Sequence, residues 1–172
     1  MQDRCRIVDT FVTILLPSLR SMKTPPAPAH LGATILLVDD NTHGLVARRT
    51  VLEELGYVIH TGVNGDEALD LLSRLHVDLV VTDFRMPNMD GIELITRIRQ
   101  LRGDMPVILL SGFVEPLGLT EQSTGADIVL SKSAGEVAFL IRSVRRLLNR
   151  QPPRKAVGSE VMANAKRASN AG

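Results

Sequence analysis

Leu79-Val80-Val81-Thr82-Asp83-Phe84-Arg85-Met86-Pro87-Asn88-Met89-Asp90-Gly91 is an apolar run that stops on a carboxylate and then turns. A short apolar run without alternation fits a strand buried on both faces of a parallel sheet. Its last side chain then emerges at the carboxyl edge, where such sheets bind ligands. Pro87 and Asp90-Gly91 force a loop before any helix resumes. Asp83 is therefore the candidate reactive residue. Three further runs end in the same manner: Thr34 to Val38 on Asp39-Asp40, Val107 to Leu110 on Ser111-Gly112, and Ile128 to Ser131 on Lys132. If the four runs are neighbouring parallel strands, their acids, hydroxyl and amine converge on one edge.

Outward from these runs, apolar residues recur at near-helical spacing. Asp40-Asn41-Thr42 offers caps for a helix carrying Leu45, Val46, Val51, Leu52 and Leu55, and Gly56 stops it. Val58 to Thr61 reads as a short strand. Asn64-Gly65-Asp66-Glu67 turns and caps a helix whose apolar face is Ala68, Leu69, Leu71, Leu72 and Leu75. Ile92 to Leu101 is the next helix. Between Gly112 and Gly125, Pro116 and Gly118 interrupt the pattern, so a short or mobile helix is expected. Gly135 to Arg150 is the clearest helix, with Val137, Leu140, Ile141, Val144, Leu147 and Leu148 on one stripe and Arg142, Arg145 and Arg146 beside it. Five strands alternating with five helices predict an α/β fold: a doubly wound, five-stranded parallel sheet with right-handed crossovers.

The chain has 172 residues, enough for one domain with excess at both ends, and 44% of them are hydrophobic. Aromatics make up 3%, so the core must be aliphatic. A formal charge of +1 conceals an acidic body, residues 33–149, between basic ends. That distribution is not that of a nucleic-acid-binding domain, which would carry its own basic face. Cys5 is the single cysteine, which excludes an internal disulfide or a cysteine metal cluster and fits a reducing compartment, so a cytoplasmic location is expected. No apolar run approaches the roughly 18 residues of a spanning helix. Arg4 and Arg6 ahead of Ile7 to Leu16 outline a secretory leader, but Asp9 interrupts it and no small-residue cleavage pattern follows. The segment reads instead as a frayed helix or as sequence upstream of a start at Met22. Residues 1–32 are thus expected to be an extension ending in the proline-rich linker Thr24 to Ala29, residues 33–150 the domain, and residues 151–172 a disordered basic tail.

Three carboxylates at one edge repel one another and need a cation to stay ionised together. A hard divalent metal with oxygen ligands answers this, and few protein ligands plus water suit Mg²⁺ better than Ca²⁺. His30, His43, His60 and His76 are scattered and form no zinc cluster. With Asp83 held beside a phosphoryl donor, Ser111 and Lys132 supply the hydrogen bonding and remaining positive charge for a transferred group.

Leu37-Val38-Asp39-Asp40-Asn41, Val81 to Gly91, Leu109-Leu110-Ser111-Gly112 and Gly125 to Lys132 stand in an order and spacing that resembles the receiver domain of bacterial two-component response regulators. The resemblance covers residues 33–150 and implies a flavodoxin-like receiver fold. It implies Asp83 as phospho-acceptor, taking a phosphoryl group from the phosphohistidine of a histidine kinase. It implies Mg²⁺ bound by Asp39, Asp40, Asp83 and the backbone carbonyl of Arg85, with Ser111 as switch hydroxyl and Lys132 paired to the phosphoryl group. Two positions depart from the family. Val129 stands where an aromatic commonly swings inward on phosphorylation, and Ser133 replaces the proline that commonly follows the lysine. Neither touches the acid cluster, so phosphorylation is expected to survive even if its output is altered.

The expected protein is a single-domain response regulator with no DNA-binding output domain. It signals by docking to a separate target, by relaying to a phosphotransfer protein, or by draining phosphate from its kinase. A phosphorylation-independent interaction module with a vestigial site is the rival reading, motivated by Val129 and Ser133. A phosphohydrolase of a related fold would carry a second acid two residues after its nucleophile. Arg85 occupies that position, so turnover of external substrates is not expected.

Overall fold

Thr34–Val38 (β1), Val58–Gly62 (β2), Leu79–Asp83 (β3), Val107–Ser111 (β4) and Ile128–Ser131 (β5) form one parallel sheet in the order β2-β1-β3-β4-β5, in a computed structural model that describes residues 32–150. The expected disordered tail, and the expected N-terminal extension apart from Gly32, lie outside the described residues. Each apolar run forms its strand because both faces of the sheet are covered, as a parallel sheet with crossover helices requires. The strand order reverses direction between β1 and β3, so the crevice where ligands bind in such folds opens there, between Asp39 and Asp83.

The helices begin where short polar side chains can satisfy free backbone N–H groups. Asn41 caps Thr42–Glu54 (α1), accepting from the N–H of His43 and Gly44. Asn64 caps Gly65–Arg74 (α2) by accepting from Glu67, and Asp90 caps Gly91–Leu101 (α3) by accepting from Glu93. On one sheet face Ile35, Leu37, Val81, Ile108 and Leu110 pack with Leu45 and Leu52 of α1 and with Leu140, Val144 and Leu147 of the last helix, Glu136–Leu148. On the other, Leu36, Val38, Val80 and Leu109 pack with Ala68 and Leu72 of α2 and with Leu94, Ile95 and Ile98 of α3.

The structure differs from the sequence expectation in residues 112–125 and on the apolar faces of two helices: on the last, Val137, read onto the stripe, is 38% exposed. Residues 112–125 hold two one-turn helices, Val114–Leu117 (α4) and Glu121–Thr124 (α5), so the last helix, Glu136–Leu148, is α6 and not the fifth. Gly118 ends α4 in the left-handed region (φ 58°), and a new N-terminus forms at Thr120, whose side chain and Ser123 cap one another reciprocally. In α1 the expected apolar face is rotated. Val46 is 63% exposed, while Arg48 is only 7% exposed and lies on the buried side with Leu45 and Leu52.

At the sheet edge opposite the crevice, Arg99 of α3 fastens the bases of two strands. Its guanidinium donates to the carbonyls of Met105 and Gly125 and lies 2.8 Å from Asp127 Oδ2, which also accepts from the N–H of Val107 at 2.8 Å. No helix among the described residues is long and apolar enough to cross a membrane.

Candidate functional site

The register of the sheet puts the strand tips side by side. Val38 pairs with Thr82, so the next residues, Asp39 and Asp83, leave β1 and β3 at the same level. Asp83 pairs with Leu110, and Ser111 pairs with Ser131, which brings Ser111 and Lys132 to the same rim. The N–H of Lys132 donates to the carbonyl of Ser111 at 2.9 Å, fixing the base of the lysine. Its ammonium reaches back across β4 and β3, lying 2.9 Å from Asp83 Oδ1 and 3.0 Å from Asp39 Oδ2.

Asp39, Asp40 and Asp83 each offer a carboxylate oxygen within 4.8 Å of the others. Asp39 and Asp83 are buried and Asp40 is exposed, so the cluster is open on one side. Three oxygen donors with no histidine or cysteine among them fit a hard divalent cation rather than zinc.

The two buried acids are not equivalent. Burial pushes the Asp39 carboxyl up, but the Asn41 N–H, Lys132 and Arg48 together hold it below the usual carboxylate range. Asp83 is pushed the other way: burial raises it, the neighbouring charge of Asp39 adds to the rise, and Lys132 with the Phe84 N–H only partly offsets them. The acid nearer the middle of the sheet thus carries the less comfortable negative charge, which a bound cation relieves.

The loop after β3 is pinned from both ends. Gly91 donates its N–H to the carbonyl of Phe84 at 2.8 Å, and Met86 and Met89 are buried beneath the loop. A Cβ on Gly91 would collide with the backbone carbonyl of Asp83, and at 2.8 Å with Leu109 Cδ1, so the residue that starts α3 must be glycine for Asp83 to keep its place. Arg85 is exposed, and its guanidinium lies over the Phe113 ring, 3.9 Å from the centroid. The loops after β3 and β4 therefore meet beside the acid cluster. Ser111 is 1% exposed, and its Oγ accepts from the Phe113 N–H at 2.9 Å. Val129 is half-buried against the α2/α3 side of the sheet.

Asp39, Asp40, Asp83, Ser111 and Lys132 thus lie at one rim, whereas Val129 sits below it, level with Leu109 on the face of β5. Sequence reasoning missed Arg48 and Glu136. Arg48 Nη1 donates to Asp39 Oδ2 at 2.7 Å and its Nε to Glu136 Oε1 at 2.6 Å. The signal was present: Leu45, Arg48 and Leu52 follow one another at spacings of three and four, so Arg48 sits on the buried stripe of its helix.

The family model described as "response regulator receiver domain" matches residues 35–144. The transcriptional regulatory protein GlrR of Escherichia coli is 35% identical over 116 residues, which are 67% of this chain and 24% of that protein. The sensor histidine kinase RcsC of Escherichia coli is 46% identical over 74 residues, 43% of this chain and 8% of that protein. The chain therefore spans a quarter or less of the length of these curated relatives. Among solved structures, the response regulator TrrA of Thermotoga maritima, in complex with Mg²⁺-BeF, is 32% identical with a TM-score of 0.61, covering 67% of this chain and 98% of that one. The receiver domain of a histidine kinase from Syntrophus aciditrophicus is 30% identical with a TM-score of 0.65, covering 75% and 99%. With the acid cluster, the lysine and the strand order all in place, the chain belongs to the receiver-domain family of two-component response regulators.

Proposed function

We propose that this chain is a receiver that accepts a phosphoryl group on Asp83 from the phosphohistidine of a histidine kinase. In that transfer the P–N bond to the kinase imidazole breaks, the imidazole keeps the electron pair, and a carboxylate oxygen of Asp83 bonds to phosphorus. The observation that carries the reading is Lys132 seated between Asp39 and Asp83, at 3.0 and 2.9 Å, beside three converging carboxylates. Asp39, Asp40, Asp83 and the backbone carbonyl of Arg85 would hold Mg²⁺, which when bound supplies positive charge toward the phosphoryl oxygens. Lys132 adds a second positive charge. The Ser111 hydroxyl, whose oxygen already accepts from Phe113, keeps its proton free to donate to a phosphoryl oxygen.

The output in this reading is contact with a protein target or a phosphotransfer protein in the cytoplasm. Turnover of external substrates is not part of it, because Arg85 stands where a second acid would be needed. The rival reading, an interaction module that does not use its site, draws on Val129, which carries no ring to move when Ser111 shifts. The deciding experiment is incubation with acetyl phosphate and Mg²⁺ followed by mass spectrometry. An acid-labile mass gain that disappears in Asp83→Asn supports the acceptor; no gain, or one that persists in that variant, sinks it.

A further inference from the structure

Asp39 accepts two cationic donors on one carboxylate oxygen. A carboxylate offers about four lone-pair positions, two on each oxygen. On Asp39, Oδ1 accepts the Asn41 N–H at 2.8 Å, while Oδ2 accepts both Arg48 Nη1 at 2.7 Å and Lys132 Nζ at 3.0 Å. Three of the four positions are filled, and Oδ2 is saturated. A divalent cation must use the last position on Oδ1 or displace a donor.

Of the two cations on Oδ2, Lys132 has its role in the phosphoryl site and is partly exposed. Arg48 is buried, and its position is set by Glu136, the first residue of α6, at 2.6 Å on the other side. Arg48 thus forms a chain Asp39–Arg48–Glu136 that ties the end of β1 to the start of α6. Its fixed charge sits against the acid cluster where a metal's charge is also favoured, and like charges at short range disfavour one another.

We infer that Arg48 is a built-in counter-cation of the acid cluster, a positioning residue that holds Asp39 and lowers its affinity for Mg²⁺, and that Glu136 tempers this by sharing the guanidinium charge. The inference rests on the reading that Asp39, Asp40 and Asp83 bind a divalent cation. It makes two predictions of opposite sign. Removing the Arg48 charge while keeping its bulk tightens Mg²⁺ binding. Neutralising Glu136 leaves the guanidinium charge directed wholly at Asp39 and weakens it.

The test is calorimetric titration of the full 172-residue chain with MgCl₂ at fixed pH and ionic strength, with no phosphodonor present. Arg48→Met is expected to lower the Kd for Mg²⁺ by about fivefold or more, the low end of ordinary coupling between sites. Glu136→Gln, which keeps the hydrogen-bond acceptor, is expected to raise it, and Arg48→Lys to return it toward wild type. A merely structural role for Arg48 would weaken binding in every variant. An unchanged or weakened Arg48→Met, or a tightened Glu136→Gln, overturns the proposal. Should Arg48→Met fail to fold, Glu136→Gln decides alone, and an equal or tighter Kd overturns it. If the wild type takes up no Mg²⁺ at millimolar concentration, this inference and the metal site beneath it fail together. If the wild type binds and the variants match it, only this inference fails.

Discussion

Two buried aspartates share one lysine, and their opposite tendencies give Lys132 its weight. Asp39 is satisfied three times over, whereas Asp83 has a single N–H and the shared ammonium. Lys132→Met should therefore slow phosphoryl uptake from acetyl phosphate by about 10²-fold, the usual effect of deleting one charge-stabilising donor at a reacting centre. The initial rate of acyl-phosphate formation measures it. Arg85 and Phe113 stack on each other beside the site, and the pair should retard water on its approach to the phosphorylated aspartate. Arg85→Ala and Phe113→Ala should each speed decay of the acyl phosphate, and the double variant should decay no faster than the quicker single one, since either truncation abolishes the same contact. Additive rates would refute a joint role. At this scale the sequence was informative wherever a residue closes a strand, because parallel pairing sends the tips to one rim. It was silent on Glu136, which lies just past a loop and whose partner only the packing of α1 against α6 supplies.

The helices and loops were legible to within a residue or two where caps are strong, as at Asn64 and Asp90. They were least legible where a helix is short. α4 and α5 are single turns separated by a left-handed glycine, too brief for periodicity to register. Their amides are expected to exchange hydrogen much faster than those of α3 or α6, which bury Ile95, Ile98, Val144 and Leu147. Protection in residues 114–124 equal to that of α3 would contradict this. The start of α3 carries the reverse expectation. Gly91→Ala inserts a methyl group into the Asp83 carbonyl and Leu109, so overpacking should cost about 1–3 kcal/mol in denaturant unfolding. It should also impair phosphorylation, because the strain falls on the backbone that carries the acceptor. The α1 stripe was misread for a physical reason: Val46 has the right polarity but the wrong angular position, and Arg48 is retained inside because two carboxylates await it.

At the scale of the molecule, the sheet class was readable because the runs of β1, β3 and β4 lack alternation and every connection is short enough for a crossover, which leaves few alternatives to a doubly wound sheet; the order β2-β1-β3-β4-β5 is known from the structure. A cation that binds the folded cluster and not the unfolded chain must raise the melting temperature. At a hundredfold excess over Kd the gain is about 2.7 kcal/mol. Thermal melts with MgCl₂ should lie above those in EDTA, and Asp83→Asn should flatten the difference by removing a ligand. Equal melting points for the wild type in both conditions would argue against a metal site.

The Arg99 fastening described at the far edge bears on how such a molecule can transmit anything. With the roots of β4 and β5 riveted through Asp127, Gly125 and Met105, a disturbance at their tips has no freedom to slide the strands. Any displacement on phosphorylation is therefore expected at Ser111 and Lys132 and in residues 112–125 that join the two strands, so a partner that senses the phosphorylated form would find its cue there and not at the clamped base.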